Sequence, residues 1–381
     1  MHCISFNLTT TQESAINRLD RPKAERRSYC HRESSGPASE MRHARIVRLA
    51  TAISAALLMI LQACEMQPTH VPFDDPYRQQ DDLSGVTERT LYWFDDARDR
   101  EVPVHLFIPS GSEGPFPLIL FSHGIGETLH SYAYLGRYWA ANGYVSLHPN
   151  HAGSDARVVK DPNVITPALL EATYNPANWV ARPEDLLFIL DHLADEPSLS
   201  GRIDFERIAV AGHSLGAHSA MALIGLRFST GDGGDLSFRD ARVSACLAIS
   251  PHGPGVLGLD DTSWSGIEIP FMSIYGTSDT DIITKDPSTR RAGFDLATHA
   301  DRLLVIIDGA EHEAFTGRNP RFPFPSRAAL HQSYTAAAAT AFFDAYLRHS
   351  DNAREWLLRG GVEALCDGAC TTGYENASSV D

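Results

Sequence analysis

From residue 90 onward, short apolar runs alternate with longer segments whose apolar positions recur every three or four residues. The short runs are typical of buried strands, and the longer segments are typical of amphipathic helices. The predicted strands are residues 90–94, 102–108, 117–121, 144–148, 207–211, 243–249, 270–275 and 303–307. The predicted helices are residues 131–141, 182–193, 215–226 and 328–348. This alternation predicts an α/β fold, with a mainly parallel central sheet and helices on both faces.

Two connections between the predicted elements are longer than the others. Residues 152–180 join a strand to a helix, and residues 231–240 form a loop rich in Gly and Asp. Long connections in such folds lie on the surface or cover a site. We therefore expect residues 152–180 to form a lid of loops and short helices, in which Tyr174 and Trp179 are candidates for lining a pocket. Trp264 is a further candidate, and ordinary packing is the favoured role for each of the three aromatic residues.

The first 89 residues differ from the rest. Residues 1–40 are polar and without apolar periodicity, which indicates a disordered or mis-assigned leader. Residues 41–64 combine three arginines with the apolar run 49–61, a pattern typical of a signal peptide. The run ends in Leu61-Gln-Ala-Cys64, which resembles the bacterial lipobox and makes Cys64 the candidate for lipidation. An ordinary cleaved signal peptide is the alternative.

This pattern predicts an exported protein, lipid-anchored at the bacterial cell envelope, with the outer membrane or periplasm favoured because Glu65 follows the cysteine. Residues 65–89 would be a tether, and residues 90–381 one domain. Membrane association is expected through the lipid anchor only.

The net charge and the cysteines limit the partners and the chemistry that the sequence allows. The net charge of −16 repels phosphate backbones, so no nucleic-acid partner is expected. Cys246 lies in an apolar run and is expected to be buried, whereas Cys366 and Cys370 form a candidate disulfide suited to an oxidising compartment. No His, Cys and Asp cluster has metal-ligand spacing, so no metal is expected.

The strongest motif is Gly212-His-Ser214-Leu-Gly216, a G-x-S-x-G sequence between a predicted strand and a predicted helix. A strand that turns abruptly into a helix exposes the serine hydroxyl, and the two glycines prevent side-chain collisions at the turn. The positive end of the helix dipole then lies near the serine. Ser214 is therefore the predicted nucleophile.

An oxyanion hole needs two backbone N–H donors that are already oriented toward the reacting oxygen. Leu215, directly after the nucleophile, is one predicted donor. The other is Ile125, with Gly124 as the alternative, in the Gly-containing loop 122–126 after a predicted strand. His123 in this loop is expected to stabilise the loop rather than to act as a base.

The acid and the base are expected to follow the serine along the chain. Asp279 follows the predicted strand 270–275, at the edge where α/β sheets bind ligands. It would orient a histidine and stabilise its positive charge, with Asp281 as the alternative. His312 follows the last predicted strand of the core and is the predicted general base.

The segments around Phe121, Tyr134, His148 and Gly212 resemble bacterial proteins called predicted dienelactone hydrolases, over residues 90–312. These are similar to platelet-activating-factor acetylhydrolases and to bacterial polyester hydrolases. The resemblance implies an α/β-hydrolase fold, serine esterase chemistry and no cofactor. Two residues depart from these groups: Ser214 stands where dienelactone hydrolases have a cysteine, and Ala217 where polyester hydrolases usually have glycine.

The resulting hypothesis is an esterase or lipase-like hydrolase that acts on a small-molecule, lipid or polymer ester through an acyl-enzyme. An amidase or exopeptidase on the same fold is the first alternative. A non-catalytic, membrane-tethered binding protein is the second, and it predicts a broken triad. The ester itself does not follow from the sequence.

Overall fold

The computed structural model describes residues 76–77, 85–111, 113–159, 165–231, 234–317 and 327–377. All of these residues belong to one unit, Asp74–Asp381. The predicted leader, the predicted signal peptide and Cys64 lie outside the described residues. Within the predicted tether, Tyr77 packs into the core and the first strand begins at Val86. The folded domain therefore begins before residue 90.

A nine-stranded sheet forms the centre of the part of the chain that the structure describes. Its strands are β1 (Val86–Asp95), β2 (Arg100–Pro109), β3 (Phe116–Ser122), β4 (Val145–Pro149), β5 (Ile203–His213), β8 (Val243–Ile249), β9 (Phe271–Ser278), β10 (Arg302–Glu311) and β11 (Cys370–Glu375). Two short strands, β6 (Phe228–Ser229) and β7 (Asp235–Leu236), pair separately near the Gly- and Asp-rich loop.

The strand order is β1-β2-β4-β3-β5-β8-β9-β10-β11. Six neighbouring strands run parallel to one another, namely β4, β3, β5, β8, β9 and β10. The remaining three, β1, β2 and β11, run antiparallel to their neighbours. The predicted mainly parallel sheet is thus confirmed. Because the carboxyl ends of parallel strands share one edge, the loops after β3, β5, β9 and β10 meet there.

Alternate residues of the central strands pack on opposite faces of the sheet, as the period of a strand requires. On β3, Leu118 and Leu120 belong to one apolar cluster, whereas Ile119 and Phe121 belong to the other. Both sides of the strand are therefore buried, which explains its continuous apolar sequence.

Helices cover both faces of this sheet. They are α1 (Ala133–Ala141), α2 (Pro167–Tyr174), α3 (Pro176–His192), α4 (Leu215–Ala222), α5 (Ala292–Leu296), α6 (Arg327–Leu347), α7 (Asp351–Leu358) and α8 (Gly361–Leu365). Helices α3 and α4 pack on the face of Leu118, and α1 and α6 pack on the face of Phe121.

Three of the predicted helices differ clearly from the observed ones. Helix α3 begins at Pro176 rather than residue 182, and Pro183 lies inside it rather than in its first turn. Helix α4 ends at Ala222, four residues earlier than predicted. Helix α6 does not close the chain, because α7, α8 and β11 follow it.

The predicted lid, residues 152–180, contains a short 3₁₀ turn, helix α2 and the first residues of α3. Cys366 and Cys370 form a disulfide between the end of α8 and the start of β11, and Cys246 is buried on β8. Among the described helices, none is both long and apolar enough to cross a bilayer.

Candidate active site

Ser214 lies in a sharp turn between β5 and α4, with φ 55° and ψ −122°. A non-glycine residue pays steric strain for a positive φ, and such strain is typical of functional turns. The Ser214 amide donates a 2.9 Å hydrogen bond to the Ile249 carbonyl of β8, which holds the turn against the sheet.

The two glycines of the motif allow strand, helix and neighbouring loop to approach closely. A Cβ atom on Gly212 would collide with the Gly216 carbonyl, and a Cβ atom on Gly216 would collide with the Ser122 carbonyl at the end of β3. Gly216 therefore brings the nucleophile helix against the loop that was predicted to form the oxyanion hole.

The Nδ1 atom of His312 lies 2.7 Å from Oδ1 of Asp279. Asp279 follows β9 and is fully buried, and His312 begins the short 3₁₀ helix after β10. The other Asp279 oxygen accepts a 2.6 Å hydrogen bond from the Ser250 hydroxyl. Asp279 thus fixes Nδ1 as the protonated nitrogen of His312, which leaves Nε2 as the atom that can accept a proton.

Asp281, the alternative acid, contacts the opposite side of the same ring. Its Oδ2 atom lies 3.5 Å from Nε2 of His312. This distance and position do not suit an orienting partner, because the Nε2 atom must remain free to exchange a proton with the nucleophile. The geometry therefore favours Asp279 as the acid.

Arg290, in the 3₁₀ helix Pro287–Arg291, lies fully buried between the two carboxylates. Its Nη2 atom is 3.0 Å from Asp279 Oδ1 and 3.0 Å from Asp281 Oδ2. Its Nε and Nη1 atoms donate to the carbonyls of Asp279 and Ser250. Nη2 also lies 3.2 Å from His312 Nδ1. Both atoms are donors, so this approach results from their sharing one Asp279 oxygen.

The charges of this cluster follow from these contacts. Burial of Asp279 acts to raise its pKa, but the hydrogen bond from His312 and the charges of His312 and Arg290 hold that pKa below the usual value. Burial also acts to raise the pKa of Asp281, but a hydrogen bond from His252 and the charges of His312 and Arg290 hold that pKa below the usual value. Both carboxylates are therefore ionised at neutral pH.

The backbone donors of the oxyanion hole differ in their hydrogen bonds. The Gly124 amide donates to the Tyr132 hydroxyl at 3.4 Å. The amides of Ile125 and Leu215 donate to no acceptor among the described residues. Ile125 and Leu215 are thus free to bind a substrate oxygen, whereas Gly124 already has a partner.

Two histidines beside the site have structural partners. His123 Nδ1 lies 2.7 Å from the Gly124 carbonyl, and its Nε2 accepts a hydrogen bond from the His151 amide. These contacts match the expectation that His123 stabilises the loop. The ring of His213 packs on that of His312, with centroids 4.5 Å apart. Burial and the charges of His312 and Arg290 lower the pKa of His213 well below its usual value, which keeps the ring neutral.

Ser214 and His312 line one cavity of about 170 Å³. Its apolar wall is formed by Ile125, Leu169, Ile282 and Ile283, and its carboxylates are Glu127, Asp281 and Glu313. A larger cavity of about 520 Å³ is lined by Arg98, Arg100 and Arg157 among others, and it contains none of the predicted site residues.

None of the three aromatic candidates lines this cavity. Tyr174 points to the surface, and Trp179 and Trp264 are packed in the core. The lid contributes Leu169 of α2 to the cavity instead. The sequence also gave no sign of Arg290, because an arginine in a polar loop resembles any surface arginine until the loop is folded.

Two comparisons with known proteins match this chain, and a search of curated proteins finds no match. The family model for chlorophyllase matches residues 87–254, a segment that contains Ser214 and the 122–126 loop but ends before Asp279. A ferulic acid esterase from Streptomyces cinnamoneus has a similar structure, with a TM-score of 0.53 and 20% sequence identity. The match covers 72% of this chain and 93% of that one.

The chain has the α/β-hydrolase fold. The predicted fold is confirmed, and the family-model match supports the predicted superfamily of serine esterases and the predicted class of carboxylic-ester hydrolases. Within this fold, the loops after β3, β5, β9 and β10 bring the predicted oxyanion donors, nucleophile, acid and base to the same sheet edge.

Proposed function

We propose that this α/β-hydrolase cleaves carboxylic esters through an acyl-enzyme on Ser214. The observation that carries the proposal is the Asp279–His312 hydrogen bond of 2.7 Å at a cavity that also contains the strained Ser214. A histidine oriented by a buried carboxylate beside a serine in a nucleophile elbow suits acyl transfer.

In the first half of the reaction, Nε2 of His312 takes the proton of the Ser214 hydroxyl as its oxygen attacks the ester carbonyl. Asp279 stabilises the imidazolium that forms, and the amides of Ile125 and Leu215 bind the negative oxygen of the tetrahedral intermediate. His312 then gives its proton to the departing alcohol oxygen, and the acyl group remains on Ser214.

In the second half, His312 removes a proton from water as the water oxygen attacks the acyl-enzyme. A second tetrahedral intermediate forms at the same two amides. Its collapse returns the proton to Ser214 and releases the carboxylic acid.

The cavity favours a neutral ester with a small acyl group. Its volume of about 170 Å³ is below the roughly 300–1,000 Å³ of pockets that enclose a drug-sized ligand. It therefore suits one end of a substrate, with the remainder outside. The aliphatic wall suits a short alkyl chain, and the carboxylates Glu127, Asp281 and Glu313 disfavour an acyl group with its own negative charge.

A series of p-nitrophenyl esters of increasing acyl length tests this function on the purified protein. We expect turnover by the wild type with an optimum at short chains, and loss of turnover in Ser214→Ala with unchanged thermal unfolding. Ser200→Ala, which changes an exposed serine, is the matched control. A folded wild type without ester turnover, or a Ser214→Ala variant that keeps its activity, would refute the proposal.

We also propose that the protein is exported and lipid-anchored through Cys64. This proposal is supported by the sequence pattern of residues 41–64 and is compatible with the Cys366–Cys370 disulfide. Labelling with palmitate in a bacterial host should be lost in Cys64→Ser and kept in Cys30→Ser. Labelling that survives Cys64→Ser would contradict the anchor.

A further inference from the structure

A second Ser-His-Asp arrangement lies beneath the oxyanion loop. The Ser122 hydroxyl is 3.0 Å from Nε2 of His151, and Nδ1 of His151 is 2.9 Å from Asp185 Oδ2. All three residues are completely buried, so no substrate can reach this serine. Arg100 donates to both Asp185 oxygens at 2.8 Å, which completes the hydrogen bonding of the carboxylate. The arrangement is therefore structural.

Arg182 of α3 connects this buried arrangement to the oxyanion loop. Its Nη2 atom donates to the Ser122 hydroxyl at 3.2 Å and also to the His123 carbonyl. Its Nη1 atom donates to the Ser154 hydroxyl at 2.8 Å. Arg182 is fully buried, and none of the described carboxylates is in ion-pair contact with it. Its charge is thus satisfied by neutral oxygens of the loops around the site.

These contacts hold the chain on both sides of Ile125. Before Ile125, Arg182 holds the His123 carbonyl, and Nδ1 of the same histidine lies 2.7 Å from the Gly124 carbonyl, whose peptide group contains the Ile125 amide. After it, the Gly126 amide donates a 2.9 Å hydrogen bond to the carbonyl of Ser154, the residue whose hydroxyl also binds Arg182. With the chain anchored before and after it, the Ile125 amide has little freedom to rotate.

The same guanidinium is connected through one side chain to Leu215, the residue of the second amide donor. Its Nε atom donates to the Ser219 hydroxyl at 3.1 Å, and that hydroxyl donates to the Leu215 carbonyl at 2.9 Å. Ser219 and Leu215 belong to the first turns of the nucleophile helix α4. One rigid, planar group thus binds the loop of one amide donor and the helix of the other.

We propose that Arg182 is a positioning residue that sets the separation and direction of the Ile125 and Leu215 amides, and so makes the oxyanion hole. This inference rests on the proposed ester hydrolysis. Burial lowers the pKa of Arg182 to about 9, so the guanidinium remains charged at neutral pH. A lysine in its place would keep the charge but would lose the fork of donors that reaches Ser122, Ser154 and Ser219 together.

The test compares an oxygen ester with the corresponding thionoester, whose C=S sulfur is a poor hydrogen-bond acceptor. The ratio of their kcat/KM values reports on the oxyanion hole, whereas a defect in Ser214 or His312 lowers both rates together. In Arg182→Lys we expect kcat for the oxygen ester to fall about 10- to 100-fold with little change in KM. The rate for the thionoester should fall much less, so the ratio of kcat/KM for the oxygen ester to kcat/KM for the thionoester should fall sharply.

Two variants with smaller changes keep the test valid if Arg182→Lys does not fold. Ser219→Ala and Ser154→Ala each remove one partner of Arg182, and each should lower the ratio by a smaller factor. Ser146→Ala is the matched control, because Ser146 is also a buried serine bonded to a histidine, His148 at 2.9 Å, but has no contact with Arg182. It should leave the ratio unchanged.

The outcomes separate this inference from the proposed function. If the wild type hydrolyses esters and the Arg182, Ser154 and Ser219 variants keep the wild-type ratio, the positioning role is overturned while the esterase proposal stands. Parallel loss of both rates would also overturn it, since a general structural defect has that effect. A wild type that hydrolyses neither ester would overturn both.

Discussion

Arg290 Nη2 lies 3.0 Å from Oδ1 of Asp279, the same oxygen that accepts the hydrogen bond from His312. One carboxylate oxygen of Asp279 therefore contacts both the guanidinium of Arg290 and the imidazole of His312. Because Arg290 also binds Asp281, a single buried cation balances one buried and one half-buried carboxylate. The predictions below follow from this cluster and from the packing around it.

The first prediction concerns the choice between the two acids. Asp279→Asn removes the acceptor that orients Nδ1 of His312, so kcat for p-nitrophenyl butyrate should fall by about 10³- to 10⁴-fold. Asp281→Asn should cost less than about tenfold, because Asp281 does not orient the ring. Steady-state kinetics on the two variants measures the difference. The reverse order would make Asp281 the acid.

The second prediction concerns Arg290 and pH. Replacing Arg290 in Arg290→Gln leaves the buried Asp279 and the half-buried Asp281 without their cation, so the free energy of unfolding at pH 7 should fall by about 3–5 kcal/mol. Arg291→Gln is the control: its exposed pair with Asp295 is worth less than about 1 kcal/mol.

The sign of the pH effect follows from the lowered pKa values of Asp279 and Asp281. The wild type gains stability from these groups above their unfolded pKa, about 4, and loses it as the pH falls through their lower folded values. Without Arg290, protonation relieves the unpaired charges. Urea unfolding should thus show a smaller difference between wild type and Arg290→Gln at pH 4 than at pH 7. A difference that grows on acidification would contradict this explanation.

The third prediction tests the close contact between the nucleophile helix and the oxyanion loop. In Gly216→Ala the new Cβ atom meets the Ser122 carbonyl, so the helix or the loop must move. We expect a loss of about 1–3 kcal/mol in stability and a larger proportional loss of esterase activity. Gly85→Ala is the control, because nothing lies within 4 Å of its Cβ position. Equal changes in stability and in esterase activity in the two variants would exclude the proposed clash.

The fold was largely predictable because its core strands are short, apolar and separated by helical periodicity. The same local rules failed where tertiary contacts determine the secondary structure. Pro183 indicated a helix start, yet it lies within α3, whose N-terminus is capped by Asn175. Strand β11 was not predicted because its sequence, Cys370–Glu375, is mostly polar and becomes a strand only by pairing with β10.

The residues of the candidate site also divide into those that could be predicted from the sequence and those that could not. Ser214, Asp279 and His312 could be chosen because each follows a recognisable strand in a fixed order. Arg182 and Arg290 could not, because their importance comes from burial and from partners distant in the sequence, such as Ser122 and Ser250. The cavity lining also depends on how loops fold, so the contribution of Leu169 could not be predicted from the sequence.

The fourth prediction concerns the charge of the cavity. Glu313 is exposed at its rim, and its carboxylate should repel an acyl group that carries a negative charge. Glu313→Lys should therefore raise kcat/KM for a p-nitrophenyl hemisuccinate relative to the neutral butyrate by about two- to fivefold, the size expected of an exposed charge. Glu311→Lys, an exposed neighbour outside the cavity lining, should change the ratio less. Equal changes in both variants would mean that only the overall charge matters.

The central claim is that Ser214 is the activated nucleophile. Reaction with a fluorophosphonate, followed by peptide mapping, tests it most directly because the reagent forms a covalent bond only with an activated serine. We predict one phosphonyl group per chain, on Ser214, with esterase activity lost in proportion to labelling and no labelling of Ser214→Ala. Labelling of another residue, or esterase activity that persists when Ser214 is fully modified, would contradict the claim.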